Sequence, residues 1–428
     1  MSRKKELGGS DTPPSYKWQL VALLCVVFFL NQGNRQIYST VLTQIKAATG
    51  AGGLGLTDVQ AGLVASVFIA CYGLCVPLAG FLGDRLRRKW QVLASLVVFS
   101  VGTLLTGFGG GLVSLIVFYG VVFGAGEAFY YPPATSLLGQ FHEKSRATAF
   151  SVHQAALYLG IMFSGYFSGY LARTTSMGWR TPFLLFGSAG LVWALVIFFF
   201  LRDTPNLKPA GDAPRIPLRE TLAHILGKRS AIALALAFGC MVYVDVGFKT
   251  WTPTFLIERF GFAADKAGFS AVFYHFCCAF LGVMIGGRLT DRWAARRKGI
   301  RLEANIVGLL AGAPFIVWLS RSQTQAACFV ALGLFGLFRG IYDSNLFASL
   351  FDVIKPQYRA SATGLMLAFA FLVGAFSPTV LGALKQDYGL SFGLASLAAF
   401  YVLGGAIILG ARVLFYKGDR EAAEAPHP

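Results

Sequence analysis

Gly80-Phe81-Leu82-Gly83-Asp84-Arg85-Leu86-Arg87-Arg88-Lys89 is the stretch that decides the fold, because it occurs twice. The second copy is Gly287-Arg288-Leu289-Thr290-Asp291-Arg292-Trp293-Ala294-Ala295-Arg296-Arg297-Lys298. Both read Gly-x-Leu-x-Asp-Arg, continue into a cluster of Arg and Lys, and close a long apolar run. Asp84 and Asp291 stand 207 positions apart in a chain of 428. A repeat at half the chain length implies a duplicated unit. Gly at a helix end lets two helices approach closely. The Asp can face the N-terminus of a neighbouring helix, where the dipole favours an anion. The Arg and Lys belong in the headgroup layer. Ordinary basic loops would account for the cations, but not for Gly and Asp recurring in register.

Composition fixes the class. Hydrophobic residues make up 55% of the chain and charged residues 13%, with a mean hydropathy of +0.61. Soluble domains carry roughly 25% charged residues. Many apolar runs here reach the ~20 residues that cross a bilayer as a helix. The formal net charge of +17 raises the possibility of nucleic acid. That reading fails because the cations sit in short loops between apolar runs, as membrane topology requires. The seven cysteines, at 25, 71, 75, 240, 277, 278 and 328, all lie inside apolar segments without a zinc-ligand pattern. No metal, cofactor or nucleic-acid partner is expected. No removable signal peptide is read at the N-terminus.

Apolar segments lie at 18–45, 58–82, 90–109, 112–139, 146–172 and 180–201, then at 231–257, 267–290, 303–320, 325–353, 359–384 and 391–416. The expected fold is an all-α membrane protein, with twelve transmembrane helices in two pseudo-symmetric six-helix bundles, 18–201 and 230–416. Residues 1–17 and 417–428 read as polar tails, both disordered. Residues 202–229 read as a cytoplasmic linker, with an amphipathic helix near Leu218–Leu226. With both termini cytoplasmic, 27 Lys and Arg fall on the inner side, 7 on the outer and 3 within helices. This bias orients the chain in an inner or plasma membrane. A phosphate-binding loop needs G-x-x-x-x-G-K-[ST], and the nearest approach, Gly227-Lys228-Arg229-Ser230, lacks it. Active transport by this chain would therefore draw on an ion gradient.

Charges inside membrane helices are costly and mark functional sites. Arg35, Glu127, Asp245, Lys249, Arg339 and Asp343 fall on the first, fourth, seventh and tenth helices. On the first helix Asn31, Asn34, Arg35 and Tyr38 share one face, which reads as a cavity lining or as a polar packing seam. Arg35 suits a carboxylate or phosphate held by two parallel hydrogen bonds. Glu127 is the one acid inside the fourth helix. It reads as a proton carrier or as a permanent ionic partner of Arg35. Tyr130 and Tyr131 follow it, and Pro132 and Pro133 should break the helix. Asp245 with Lys249, and Arg339 with Asp343, form i,i+4 pairs. These are either structural or opened by substrate or proton. Trp251, Tyr274 and Asn345 are further candidate contacts, with His153, Gln154 and His275 as weaker ones. A lone His in an apolar helix is more often a packing residue.

The twin turns resemble the signature loop of the major facilitator superfamily, between the second and third helices of each half. Gly-Ala-Gly-Glu-Ala at 124–128, Gly178-Trp179-Arg180 and Arg202-Asp203-Thr204-Pro205 resemble its organic anion/cation symporter branch. Leu56-Thr57-Asp58-Val59-Gln60-Ala61-Gly62-Leu63, together with Gly126-Glu127-Ala128, also resembles the spinster-like lipid transporters, and the two branches share these features. The resemblance implies a central cavity lined by the first and fourth helices of each half. It also implies alternating access and, in the first branch, proton-coupled movement of sugar acids or other small carboxylates. Relatives often carry Asp directly before the first-helix Arg. Asn34 stands there instead, which moves the proton role to Glu127, backed by Asp245 and Asp343. Proton-coupled relatives also commonly carry an Arg early in the fourth helix, a region where this chain has Tyr119. The expected substrate contacts are Asn31, Asn34, Arg35, Tyr38, Tyr130, Tyr131, Lys249, Trp251, Tyr274 and Asn345. The expected gating residues are Asp84, Arg85, Arg88, Asp291, Arg292 and Arg296. The expected agent is a monomeric carrier of a small organic anion and protons within the lipid bilayer. The alternatives are a spinster-like carrier of lysolipid and a non-transporting sensor. An enzyme is not expected, since no nucleophile, metal set or base cluster appears.

Overall fold

A computed structural model describes residues 16–83, 86–142, 145–203, 218–294, 296–297 and 299–424. The described residues hold twelve helices long and apolar enough to span a membrane. They are α1 (Tyr16–Thr40), α2 (Asp58–Gly80), α3 (Arg88–Gly107), α4 (Leu112–Phe141), α5 (Thr148–Thr174) and α6 (Arg180–Phe200) in the first half. The second half has α7 (Arg229–Phe260), α8 (Ala264–Ala294), α9 (Ile300–Arg321), α10 (Gln325–Phe351), α11 (Ser361–Tyr388) and α12 (Leu390–Leu414). Large apolar side chains remain exposed along the outer helix faces, for instance Val192, Leu195 and Phe199 on α6. In a bilayer that surface meets lipid tails. This is therefore an integral membrane protein.

Pro breaks two helices where the missing N–H and the ring interrupt the ladder. In α4 a π-helical segment, Ile116–Phe123, runs into Gly124–Ala128. The helix then resumes at Tyr131, ahead of Pro132 and Pro133. The expected break is thus present, and the π segment is an addition that no local residue pattern announced. Such bulges are frequent at functional sites. In α11 the break falls at Ala375 and Phe376, just before Pro378.

The halves meet where α2 packs on α11 and α5 on α8. Small residues permit this. A Cβ on Gly165 would fall 2.6 Å from the Gly268 carbonyl oxygen, and one on Gly268 would fall 2.2 Å from that of Gly165. Among the described residues, the ion pairs and hydrogen bonds joining the halves lie at the end away from the chain termini. Arg173 pairs with Asp265 at 3.0 Å, Lys385 with Asp58 at 3.0 Å, and Ser66 meets Thr379 at 2.7 Å. The bundle is fastened at that end.

The C-terminal tail departs from expectation. Tyr416–Glu424 is helical rather than disordered. Its Asp419 carboxylate accepts the Ser230 backbone N–H at 2.8 Å, at the start of α7. Tyr416 is buried and donates to Asp352 at 3.0 Å. These anchors offset the entropy of ordering a short polar segment. The expected amphipathic helix is present as Leu218–Leu226. The rest of the linker from 204 to 217, the N-terminal tail before Tyr16, and Asp84 and Arg85 lie outside the described residues.

Candidate functional site

The site is built on α1. Gln32, Arg35, Gln36 and Ser39 are spaced 0, 3, 4 and 7 and face a cavity of about 60 Å³ near the fastened end. Tyr38 also lines it, as do Phe68 and Ile69 of α2, Tyr119 of α4, and Lys249 and Thr250 of α7. Lys249 reaches the same space from the opposite half. Arg35 is the central group. Its guanidinium lies 5.1 Å from the Phe68 ring centre and 5.6 Å from that of Tyr72. Its backbone carbonyl accepts the Tyr119 hydroxyl at 3.2 Å. Arg35 Nη1 stands 3.6 Å from Glu127 Oε1, with the Glu127 side chain 1% exposed. Gln32 donates to the same carboxylate oxygen at 3.3 Å. The other oxygen, Oε2, is buried with no hydrogen-bond partner among the described residues. The Arg35–Glu127 contact is thus a loose ionic one, and part of the carboxylate is unsatisfied.

A second charge system faces it from α7 and α10. The two expected i,i+4 pairs are present, Lys249–Asp245 at 2.9 Å and Arg339–Asp343 at 3.0 Å. A link that the sequence did not reveal joins them, Arg339 Nη1 to Asp245 Oδ1 at 2.7 Å. The four side chains form one chain across two helices. Asp245 is held by two cations, whereas Asp343 sits at the end of the chain and is the more exposed of the two acids.

Several expected contacts are placed elsewhere. Asn31 and Asn34 are each 1% exposed and do not line the cavity. Asn31 accepts from Gln32, while neither polar atom of the Asn34 amide has a partner among the described residues. Tyr130 donates to the Leu24 carbonyl at 2.7 Å and meets His153 Nε2 at 2.8 Å, while His153 stacks on Phe28. Both are packing groups between α1, α4 and α5. Tyr131 is half-exposed, 5.8 Å from Phe28. Tyr274 stacks on Phe329 of α10 at 4.3 Å. Asn345 turns back to donate to the Ile341 carbonyl and Ser344 Oγ of its own helix. His275 is enclosed by Phe248, Phe276 and Phe335. Gln154 is not among the cavity-lining residues.

Trp251 belongs to the fastening. It is fully buried and donates to the Pro378 carbonyl at 3.0 Å. The ammonium groups of Lys46 and Lys385 flank its ring at 5.4 and 5.6 Å. Those two lysines share the Asp58 carboxylate across the halves, and Lys385 also holds Glu258 at 2.6 Å. Burial, opposed by Asp58, keeps the Lys46 ammonium below its ordinary value. The Gly178-Trp179-Arg180 motif also gains a physical role. Trp179 and Arg180 both donate to the Gly52 carbonyl, tying the α1–α2 loop to the start of α6.

Of the expected gating residues, Arg88 opens α3. Asp291 accepts from Arg301, at the start of α9, at 3.2 Å, and Arg301 also pairs with Asp352 at 3.4 Å. Arg292 and Arg296 are exposed. The second signature turn therefore braces α8, α9 and α10 of its own half.

Twelve spanning helices in two six-helix halves, closing around opposed charges, define a membrane carrier class. The Major Facilitator Superfamily model matches residues 24–378. The chain belongs to the major facilitator superfamily. It is a transporter and not an enzyme. It is 28% identical over 380 residues to the D-galactonate transporter of Escherichia coli O6:H1, covering 82% of this chain and 86% of that protein. It is 27% identical over 447 residues to protein spinster homolog 1 of Homo sapiens, covering 95% and 82%. A solved bacterial homolog of the human lysosomal transporter spinster, inward-facing and unoccupied, shares the fold with a TM-score of 0.83 at 19% identity. That match covers 98% of this chain and all of the other.

Proposed function

We propose that the protein carries a small organic anion by alternating access, in symport with a proton. The observation that carries this reading is the shared cavity, where Arg35 from one half and Lys249 from the other face the same enclosed space. An anion bridging them would draw the two halves together, which is what a rocking carrier needs at its midplane. The likeness to a D-galactonate transporter supports a carboxylate, with sugar acids as the first class to try. The charge bias of the loops supports cytoplasmic termini, so the fastened end would face outward. A second reading, carriage of a lysolipid or another amphipath, is favoured by the spinster relative.

The test is uptake by proteoliposomes under an imposed inward proton gradient, against sugar acids, mono- and dicarboxylates and lysolipids. Concentrative uptake of a carboxylate that collapses with a protonophore supports the proposal. Gradient-independent movement of lysolipid alone overturns it in favour of the second reading.

The signature turns act in this scheme as conformational latches rather than ligands. Asp291 lies at the basic rim, about half a bilayer from the buried charges, and its carboxylate is largely exposed. Asp291→Ala, and its counterpart Asp84→Ala, should slow transport several-fold while equilibrium affinity stays within about twofold, because exposed ion pairs contribute little directly. Loss of equilibrium binding in folded protein would show that the rim touches the substrate.

A further inference from the structure

We propose that the central site takes an anion of single charge and moves it with one proton, so that no net charge crosses in either direction. Resting on the symport reading above, this adds the charge class of the substrate. Buried charge in the bundle is balanced. Among the described residues, Arg35, Lys249 and Arg339 stand against Glu127, Asp245 and Asp343, on α1, α4, α7 and α10. Three cations meet three acids, and the sum is zero.

The neighbouring groups do not upset that sum. At the fastened end Lys46 and Lys385 are matched by Asp58 and Glu258, and Arg173 by Asp265. His153 meets the Tyr130 hydroxyl and His275 is set among aromatic rings, and neither is ion-paired among the described residues. Tyr72 and Tyr119, beside Arg35, bring phenols and no charge.

Enclosure makes the balance count. Ala65, Phe68, Ile69, Ile161 and Val246 line the cavity with hydrocarbon, and its Gln36, Ser39 and Thr250 carry no charge. A net charge there is poorly screened, and a charge taken through a membrane interior is costly. The α7–α10 chain is neutral by itself, since Lys249 and Arg339 both hold Asp245, and Arg339 also holds Asp343. Lys249 therefore offers the substrate its remaining N–H groups without freeing a positive charge. Arg35 alone becomes a free cation, when Glu127 takes a proton.

The loading step then balances at a single charge. A monoanion brings one negative charge to Arg35, one proton from the outer water adds to a Glu127 carboxylate oxygen, and the interior stays at zero. Both leave together on the cytoplasmic side. The empty carrier returns with Glu127 ionised beside Arg35, again at zero. A dianion would leave one negative charge in excess, with its second carboxylate buried and without a counter-ion. Two protons with a monoanion would leave one positive charge in excess.

The test is uptake by proteoliposomes of the full chain under an imposed pH gradient, with the membrane potential set separately by potassium and valinomycin. The probes are D-galactonate and D-gluconate against galactarate and D-glucarate, which carry a second carboxylate at the far end of the same carbon chain. At about pH 7 all these carboxylates are ionised. The monoanions should accumulate, and the dianions should compete more than about tenfold less well. Accumulation should not respond to the potential, whereas one net charge per cycle would change it about 50-fold per 100 mV. Asp343→Asn leaves the interior one positive charge in excess and should raise dianion affinity relative to the monoanion about tenfold in equilibrium competition. Equal uptake of both classes by the native chain overturns the proposal. So does accumulation that follows the potential, or a folded Asp343→Asn variant that keeps the native preference. Each of those results, with uptake still driven by protons, leaves the symport reading standing. Uptake of no carboxylate under the proton gradient overturns that reading and this proposal with it.

Discussion

Arg35→Ala is expected to weaken binding of a carboxylate substrate by tens to thousands of fold, and Lys249→Ala by less. Removing one partner of a desolvated, hydrogen-bonded charge pair costs roughly 2–5 kcal/mol, and each 1.4 kcal/mol is tenfold. The order of the two variants follows from what each leaves behind. Lys249 shares Asp245 with Arg339, which remains at 2.7 Å after Lys249 is gone. Arg35 is the one cation in ionic contact with Glu127 among the described residues, so its removal strands a buried carboxylate. That stranding also costs stability at pH values where the carboxyl would otherwise be ionised, because an uncompensated buried charge is destabilising and Glu127 must take up a proton to avoid it. The double variant Arg35→Ala with Glu127→Gln removes both charges and keeps the neutral bundle. It should recover thermal stability without recovering affinity. A substrate that binds the native chain and Arg35→Ala equally, measured by thermal shift and by equilibrium binding, would refute the anion anchor. An uncharged or cationic compound is the kind expected to do so.

The fold was legible because its signals are additive. Twelve apolar runs and a twin turn at half the chain length point the same way, and no single residue has to be placed. The charges of the site were legible for a related reason. An ionisable side chain in a membrane helix needs a partner or a cavity, so Arg35, Glu127, Asp245, Lys249, Arg339 and Asp343 announce themselves. What was not legible is rotation about the helix axis. On α1 the set 31, 34, 35, 38 and the set 32, 35, 36, 39 have the same spacing and share Arg35. The structure turns the second set to the cavity, with Tyr38 at its edge. A step of one residue is about 100° of a helix with 3.6 residues per turn, and only the neighbouring helices decide it. Trp251 failed for a different reason. It lies two residues beyond Lys249, and nearness in sequence placed it in the cavity. Its indole instead fills the seam between two lysines and the Pro378 carbonyl. The Arg339–Asp245 link is likewise invisible to i,i+4 reasoning, because it crosses between helices 94 positions apart. The helical tail was missed since its composition is polar, and its order comes from Ser230 and Asp352, far away in the chain.

Glu127→Gln should abolish uphill, proton-driven uptake while sparing exchange of substrate for substrate. The argument rests on what surrounds the three interior acids. Asp245 touches two cations, and Asp343 is bonded to the Arg339 Nε through both oxygens, at 3.1 and 3.0 Å. Those two are held as ions by direct contacts that the substrate need not disturb. Among the described residues Glu127 has one cation at 3.6 Å, one amide at 3.3 Å and a second oxygen with no partner. In the proposed cycle a substrate carboxylate would engage Arg35, the guanidinium would turn toward it and Glu127 would lose its counter-charge. A buried, unpaired carboxylate is so costly that it neutralises instead, so in the proposed cycle a proton would enter with the anion. Linkage makes this reciprocal. On the proposed coupling, substrate binding is expected to take up a proton, and affinity in the native chain to rise as pH falls. The Gln side chain has the shape of the protonated acid and cannot release a proton. Its variant should therefore bind substrate at all physiological pH values with an affinity close to that of the native chain at low pH. Calorimetry in buffers of different ionisation enthalpy should show proton uptake on binding to the native chain and none to the variant. Exchange survives because the loaded carrier can still reorient with substrate on either side. Net uptake fails because the proton gradient no longer biases the cycle. If the Gln variant still concentrates substrate against its gradient when a pH gradient is imposed, coupling resides elsewhere. Asp343, the acid at the open end of the α7–α10 chain, is then the next to replace.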